Sequence, residues 1–270
     1  MSRGILDGID AERISQETPE LSELEGMVLS LTPDFLSISF PRDTDVPIAS
    51  VCFHDALHTL QEATYALSEV FAHRIWYFEK KDPPDKMCAT FFGRFYADDA
   101  ALRLYSAGEH LANGIIMMME ITDEDLKPYK IKGKQGKERI SQQSVVGNYL
   151  RSQKMSHPIT GAVNKLVDSK EWCTTINYRN RLVHEQPPTL KGLGIVYERR
   201  KRWKPASNGR FTLGLGGGDK PEYCVEDLVG FIKPAMFEFT NTFTSAVKFY
   251  MELLKDAGKR TNQPLDGSEQ

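Results

Sequence analysis

Arg179, Asn180 and His184 stand in the stretch Tyr178-Arg179-Asn180-Arg181-Leu182-Val183-His184, which couples a permanent cation to a proton-exchanging ring. A guanidinium holds its charge at any physiological pH and presents its donors as a planar fork that fits phosphate oxygens. An imidazole titrates near neutrality and suits proton transfer. Together the two suit displacement at phosphorus: one moves a proton, and the other meets the charge that develops on the phosphoryl oxygens. Five positions carry an ideal helix through about 500°, so the two side chains leave it about 140° apart. The reach of the arginine and the looser final turn must bring them together, and the carbonyl end of the helix favours a protonated ring there. Spacing is a weak discriminator, since Arg103 with His110 and Arg151 with His157 lie at comparable separations. Context separates them: Asn follows Arg179, a long predicted helix precedes it, and Pro187-Pro188 ends that helix just after His184.

Other residues invite weaker readings. Arg199, Arg200, Lys201, Arg202 and Lys204 form a basic run with Tyr197 and Trp203 interleaved. Such a strip can hold RNA phosphates and stack a base, or it can be a charged edge strand that resists aggregation. The connector from Lys127 to Arg139 could extend the patch or be a solvated loop. His54 and His58 share one helix face at the spacing of a zinc pair, but the residue after the first His is Asp55 and no third ligand is evident. They read more simply as two helix histidines, and no metal is expected. The glycine-rich stretch Leu213 to Gly218 lacks the Lys-Ser/Thr of a phosphate loop and reads as a linker. Met117, Met118 and Met119 read as core or interface filler.

The elements that must position these groups are helices. Leu57, Leu60, Tyr65, Leu67, Phe71 and Ile75 recur at helical spacing and predict a helix from about Phe53 that ends before Pro83-Pro84. A second is predicted from Asp98 to Glu120, with Asp98 or Asp99 as its cap. A third covers Ser141 to Gln153, and a fourth, the longest, Ile159 to His184. A last helix covers Val225 to Lys255, with Pro234 as a kink or a split. Residues 192 to 215 carry the turn signal Asn208-Gly209 between two polar-apolar runs and predict a β-hairpin. The expected fold is therefore mainly α, an up-and-down helical bundle over residues 51–257 with a small β-hairpin insertion. Residues 1–50 form an N-terminal extension with a short acidic helix near Glu17 to Glu25, and residues 258–270 a disordered tail.

The whole-chain properties narrow the function classes. With 34 basic and 37 acidic residues the net charge is -3, so nucleic acid would meet a local patch and not a basic coat. The N-terminus carries acids and no apolar run, and Gly114 to Ile121 is far below the roughly 20 residues of a membrane span. No membrane association is expected. Cys52, Cys88, Cys173 and Cys224 are scattered without a CxxC pair, which fits a reducing, cytoplasmic compartment.

On Arg179-Asn180 and His184 the sequence resembles the HEPN superfamily, whose signature is Arg, commonly a polar residue such as Asn, and then His after four to six residues. The stretch from Asp98 to Ile115 looks like the second bundle helix of that family, and the motif helix follows two helices later. The resemblance covers about Phe53 to Pro188 and does not account for the first 50 residues or the hairpin. It implies metal-independent RNA cleavage, with His184 moving the proton of the 2′-hydroxyl or of the leaving oxygen, Arg179 holding the phosphate, and 2′,3′-cyclic phosphate ends. No cofactor is implied. It further implies a homodimer with two motifs at its interface, assistance from a polar residue of the second helix, either Glu109 or Ser106, and a place in a defence or toxin system with a protein partner or antitoxin. Many members of the family are instead non-catalytic modules that bind RNA, a nucleotide or a protein.

Overall fold

The computed structural model describes residues 6–31, 44–130, 141–153, 158–185, 187–193, 204–205, 211–212 and 220–261. Among them the chain is mainly helical, and its long helices pack as a bundle around one principal core. Two short helices, α1 (Gly8–Ser15) and α2 (Ser22–Leu29), precede α3 (Ile48–Arg74), which widens into a π-turn over Ile75–Lys80. Then come α4 (Lys86–Met118), α5 (Asp123–Leu126) with a 3-10 turn over Lys127–Tyr129, α6 (Gln142–Ser152), α7 (Pro158–Asp168), α8 (Lys170–His184) and α9 (Val225–Thr261).

α4 lies at the centre because its inward positions are small. Ala89, Gly93, Ala97, Ala100, Ala101, Ala107, Gly108, Ala112 and Gly114 are buried along it. Small residues let a neighbouring helix approach closely, and α3, α6, α8 and α9 all pack on α4. Gly114 meets the ring of Phe53 on α3, and a Cβ there would fall 2.5 Å from Phe53 Cε1. Phe53 in turn stacks edge-on against Tyr250 of α9, with ring centroids 5.3 Å apart.

The helix boundaries differ from the expected ones in three places. α4 starts at Lys86, twelve residues before Asp98, and its cap is Asp85, which accepts from the Cys88 N–H at 3.0 Å. The intervening Lys86 to Ala97 is rich in aromatic residues, which blurs its helical period. Asp98 and Asp99 are mid-helix and pair with Arg94 and Arg103 at the i, i+4 spacing. The expected fourth helix is two helices. Val163 with Leu166, and Trp172 with Ile176, keep helical spacing on either side, but Ser169 between them turns extended (φ -63°, ψ 129°) and caps α8 by accepting from the Trp172 N–H at 3.2 Å. Pro234 neither splits nor ends α9. It lies on the exposed side, as does Gly230, the residue whose carbonyl it leaves without a helical donor, so water can satisfy that group. Phe231, Ile232, Ala235 and Met236 hold the helix to the core on either side.

The N-terminal residues lie against the bundle. Leu24 and Val28 of α2 are buried in the same core as α3 and α9, and Arg13 makes a two-pronged contact with Glu79 at 2.9 and 3.0 Å. Most of residues 192–215 lies outside the described residues. Within that stretch Lys204–Pro205 pairs antiparallel with Phe211–Thr212, two residues on each side. The tail from 262 onward is also outside, although α9 itself reaches Thr261. No helix among the described residues is long and apolar enough to cross a membrane.

Gly114→Ala should destabilise the protein. The added methyl gains helix propensity but must displace the Phe53 ring, for a net loss of about 1–2 kcal/mol. A lower urea midpoint at unchanged slope, relative to wild type, checks this.

Candidate functional site

α8 carries the site, and its aim is set by the residue just before Arg179. Tyr178 is buried, and its hydroxyl donates to Asp98 of α4. Burial and the Asp98 charge push the Tyr178 hydroxyl well above the ordinary phenol range, so it remains a donor. Burial also raises the Asp98 carboxyl, against the opposing effects of Tyr178 and Arg94. On the other side, Tyr178 packs against Tyr223 and Phe231, with ring centroids 5.7 and 5.6 Å away. Farther back on α8, Trp172 stacks on Phe239 of α9 (5.7 Å, 5° between planes). Thr175, fully buried, sends its hydroxyl toward the carbonyls of Glu171 and Phe231, at 2.8 and 3.3 Å. The face of α8 that carries these residues is closed off, and the helix opens to solvent at its end, where Val183 and His184 are exposed.

There Arg179 and His184 come together. Arg179 Nη1 lies 3.4 Å from His184 Nε2 and 3.1 Å from Asn180 Oδ1. The 140° separation expected around the axis is bridged by the length of the arginine, as its spacing required. Arg179 is half-buried and His184 exposed. The helix stops at His184, where Glu185 turns extended (φ -126°, ψ -151°).

The guanidinium of Arg179 lies over the ring of Tyr105 on α4, 3.9 Å from its centroid. No carboxylate among the described residues forms an ion pair with it, and its Nε is buried without a hydrogen-bond partner. Its neighbour Arg181, by contrast, is paired with Glu222 at 2.7 Å. Of the two expected assisting residues, Glu109 belongs to this cluster and Ser106 does not visibly do so. Glu109 accepts the Gln142 N–H at 3.0 Å, which serves the first turn of α6, and it lies near Tyr105. Burial raises its carboxyl above the usual range, although the Gln142 N–H, Tyr105 and the Arg179 charge pull the other way. The Ser106 hydroxyl is spent on the Leu102 carbonyl of its own helix, at 3.2 Å. Gly108 admits this packing: a Cβ there would lie 2.5 Å from Gln143 Nε2 and 3.1 Å from the Trp172 ring.

Tyr105, Tyr178 and Asp98 were not among the expected site residues. Tyr178 abuts the motif and Tyr105 sits four residues before Glu109, but sequence spacing gives no sign that either meets Arg179 or α4.

The other candidates stand apart. Arg199, Arg200, Lys201, Arg202 and Trp203, the glycine-rich stretch, and the connector beyond Lys130 lie outside the described residues. His58 faces Glu62 at 3.5 Å and is exposed, while His54 Nε2 is buried without a hydrogen-bond partner. No group of three or more His, Cys, Asp or Glu residues that could hold a metal occurs among the described residues. The four cysteines are free thiols.

The Glu109 shift fixes a pH dependence. Its folded-state pKa is raised, so above about pH 4.3 the native state binds more protons than the unfolded chain, and its contribution to stability falls as pH rises through the folded pKa. Glu109→Gln removes that titration. Urea unfolding from pH 4 to 7 should show the stability of the variant rising relative to wild type; a constant difference across that window would contradict the assignment.

Comparison with known proteins returned no matching family model, no matching curated protein and no matching solved structure.

Proposed function

We propose that this chain is a HEPN-type, metal-independent endoribonuclease of the cytoplasm, built on an up-and-down HEPN-like bundle. The observation that carries the reading is the 3.4 Å approach of Arg179 Nη1 to His184 Nε2, by a guanidinium that no described carboxylate neutralises. In the proposed reaction His184 accepts the proton of a ribose 2′-hydroxyl, and the freed oxygen attacks the adjacent phosphorus. The bond to the 5′-oxygen breaks, that oxygen takes a proton from water, and His184 returns its own to solvent. Arg179 stabilises the charge on the phosphoryl oxygens, and Asn180 steadies the guanidinium through Nη1. The products are a 2′,3′-cyclic phosphate and a 5′-hydroxyl. The basic run Arg199 to Trp203 supplies RNA contacts in this reading.

The reading includes a homodimer with the Arg179–His184 pair at its interface. The exposed side chains of Met87, Phe91 and Phe95 support it. They are 71%, 53% and 58% exposed and repeat at the i, i+4 spacing along one face of α4. An apolar row of this kind is unusual on a lone soluble surface. Arg94, within the row, donates to the Pro188 carbonyl at 3.3 Å, which brings this part of α4 to the chain just after His184. Val183, beside the histidine, is 46% exposed. The defence or toxin setting, with an antitoxin or other protein partner, rests on the family resemblance alone.

The test is cleavage of single-stranded and structured RNA in EDTA by wild type, Arg179→Ala and His184→Ala, with analysis of product ends. Cyclic phosphate ends, lost at least about a hundredfold in each variant, are expected. No cleavage by pure, folded protein would move the reading to a non-catalytic module that binds RNA, a nucleotide or a protein. Phe91→Lys with Phe95→Lys should convert a dimer to a monomer in light scattering without unfolding it. A wild-type monomer at tens of micromolar would remove the dimer from the proposal.

A further inference from the structure

Arginines that serve structure in this bundle are neutralised. Arg13 pairs with Glu79, Arg74 with Glu226, Arg94 with Asp98, Arg103 with Asp99 and Arg181 with Glu222. Arg179 is held differently, by the face of Tyr105 at 3.9 Å. The distinction is chemical. A carboxylate partner occupies guanidinium N–H groups and cancels the charge. An aromatic face attracts the cation through its quadrupole, fixes the plane of the guanidinium and uses none of its N–H donors.

A carboxyl placed to compete is drawn off. Glu109 stands four residues after Tyr105 on the same face of α4, close enough for the Arg179 charge to act on it. It is committed instead to the Gln142 N–H at the start of α6. Gln143, the next residue of α6, donates to the Tyr105 carbonyl at 3.2 Å and ties this turn of α4 to α6.

We propose that Tyr105 is the positioning residue of Arg179: its ring, fixed on α4, seats the guanidinium so that charge and N–H donors stay available to a phosphodiester. The inference deepens the ribonuclease reading and rests on it for the identity of the substrate. The seat itself can be observed without any reaction.

Two measurements on the full-length protein test it. The first is the Arg179 Nε–Hε resonance, assigned by its loss in Arg179→Lys, in wild type, Tyr105→Phe and Tyr105→Leu. A proton over an aromatic face is shifted by the ring current, so the shift should persist with Phe and disappear with Leu. The second is steady-state RNA cleavage. Tyr105→Phe keeps the ring and should stay within about threefold of wild type. Tyr105→Leu should lose about tenfold in kcat with a smaller change in KM, as expected for loss of a partly desolvated cation–π contact. Should Leu unfold the protein, Tyr105→Met, unbranched and of similar length, replaces it.

An Arg179 resonance with the same shift in Leu and Tyr proteins would overturn the proposal. So would a Phe variant as impaired as the Leu variant, which would place the role in the hydroxyl. If wild type cleaves no RNA, the ribonuclease reading fails, and the resonance together with its displacement by inorganic phosphate still decides the seat. Displacement in wild type and Tyr105→Phe but not in Tyr105→Leu supports it, and equal displacement in all three overturns it.

Discussion

The close packing on α4 is the constraint on which the rest of this bundle depends. A helix lined inwardly by alanine and glycine contributes little apolar area per residue, so its stabilisation comes from how near its neighbours approach. That nearness has two consequences. The large buried rings come from the partners, Phe53 from α3, Trp172 and Tyr178 from α8, Phe239 and Phe243 from α9, while α4 itself adds Leu104 and Ile115. Their positions are then tightly fixed, because a ring seated against a glycine, as Phe53 is against Gly114, has no room to slide.

The candidate site inherits this rigidity. Arg179 follows Tyr178 directly, and Tyr178 is fixed both by its hydrogen bond to Asp98 and by aromatic packing. Tyr105, under the guanidinium, belongs to the same helix as Asp98. One straight element therefore supplies both the anchor of α8 and the ring beneath its arginine, seven positions apart. Two carboxyls whose pKa values burial raises, Asp98 and Glu109, mark these two points. The bundle tolerates them because each accepts hydrogen bonds from groups that would otherwise be unsatisfied in the interior.

Much of the helical architecture was legible in the sequence, because apolar positions at three- and four-residue spacing survive any packing arrangement. The end of α8 at His184 was legible from the prolines after it, and α6 from its own short apolar stripe. What was not read is the break inside the expected fourth helix. Val163 with Leu166, and Trp172 with Ile176, each keep helical spacing, but the six positions from Leu166 to Trp172 turn an ideal helix through about 600° and off that face. Ser169, whose hydroxyl caps the Trp172 N–H, marks the place. The start of α4 was misplaced for a related reason: Asp98 and Asp99 are plausible caps by residue type, and their true roles depend on Arg94, Arg103 and Tyr178, one of them 80 positions away. At the site, Arg179, Asn180 and His184 were visible as a local motif. Tyr105 was not, because a cation–π contact across 74 positions leaves no trace in composition or spacing.

The break at Ser169 has a mechanical meaning. Because α7 and α8 are separate rods joined by one extended residue, the direction of α8 does not follow from that of α7. α8 instead takes its bearing from α4 and α9, through Trp172, Thr175 and Tyr178. Ser169 is in effect a corner post: α7 is fixed on α6 and α9 by its own buried residues, Ile159, Val163 and Leu166, and the aim of α8 is set separately.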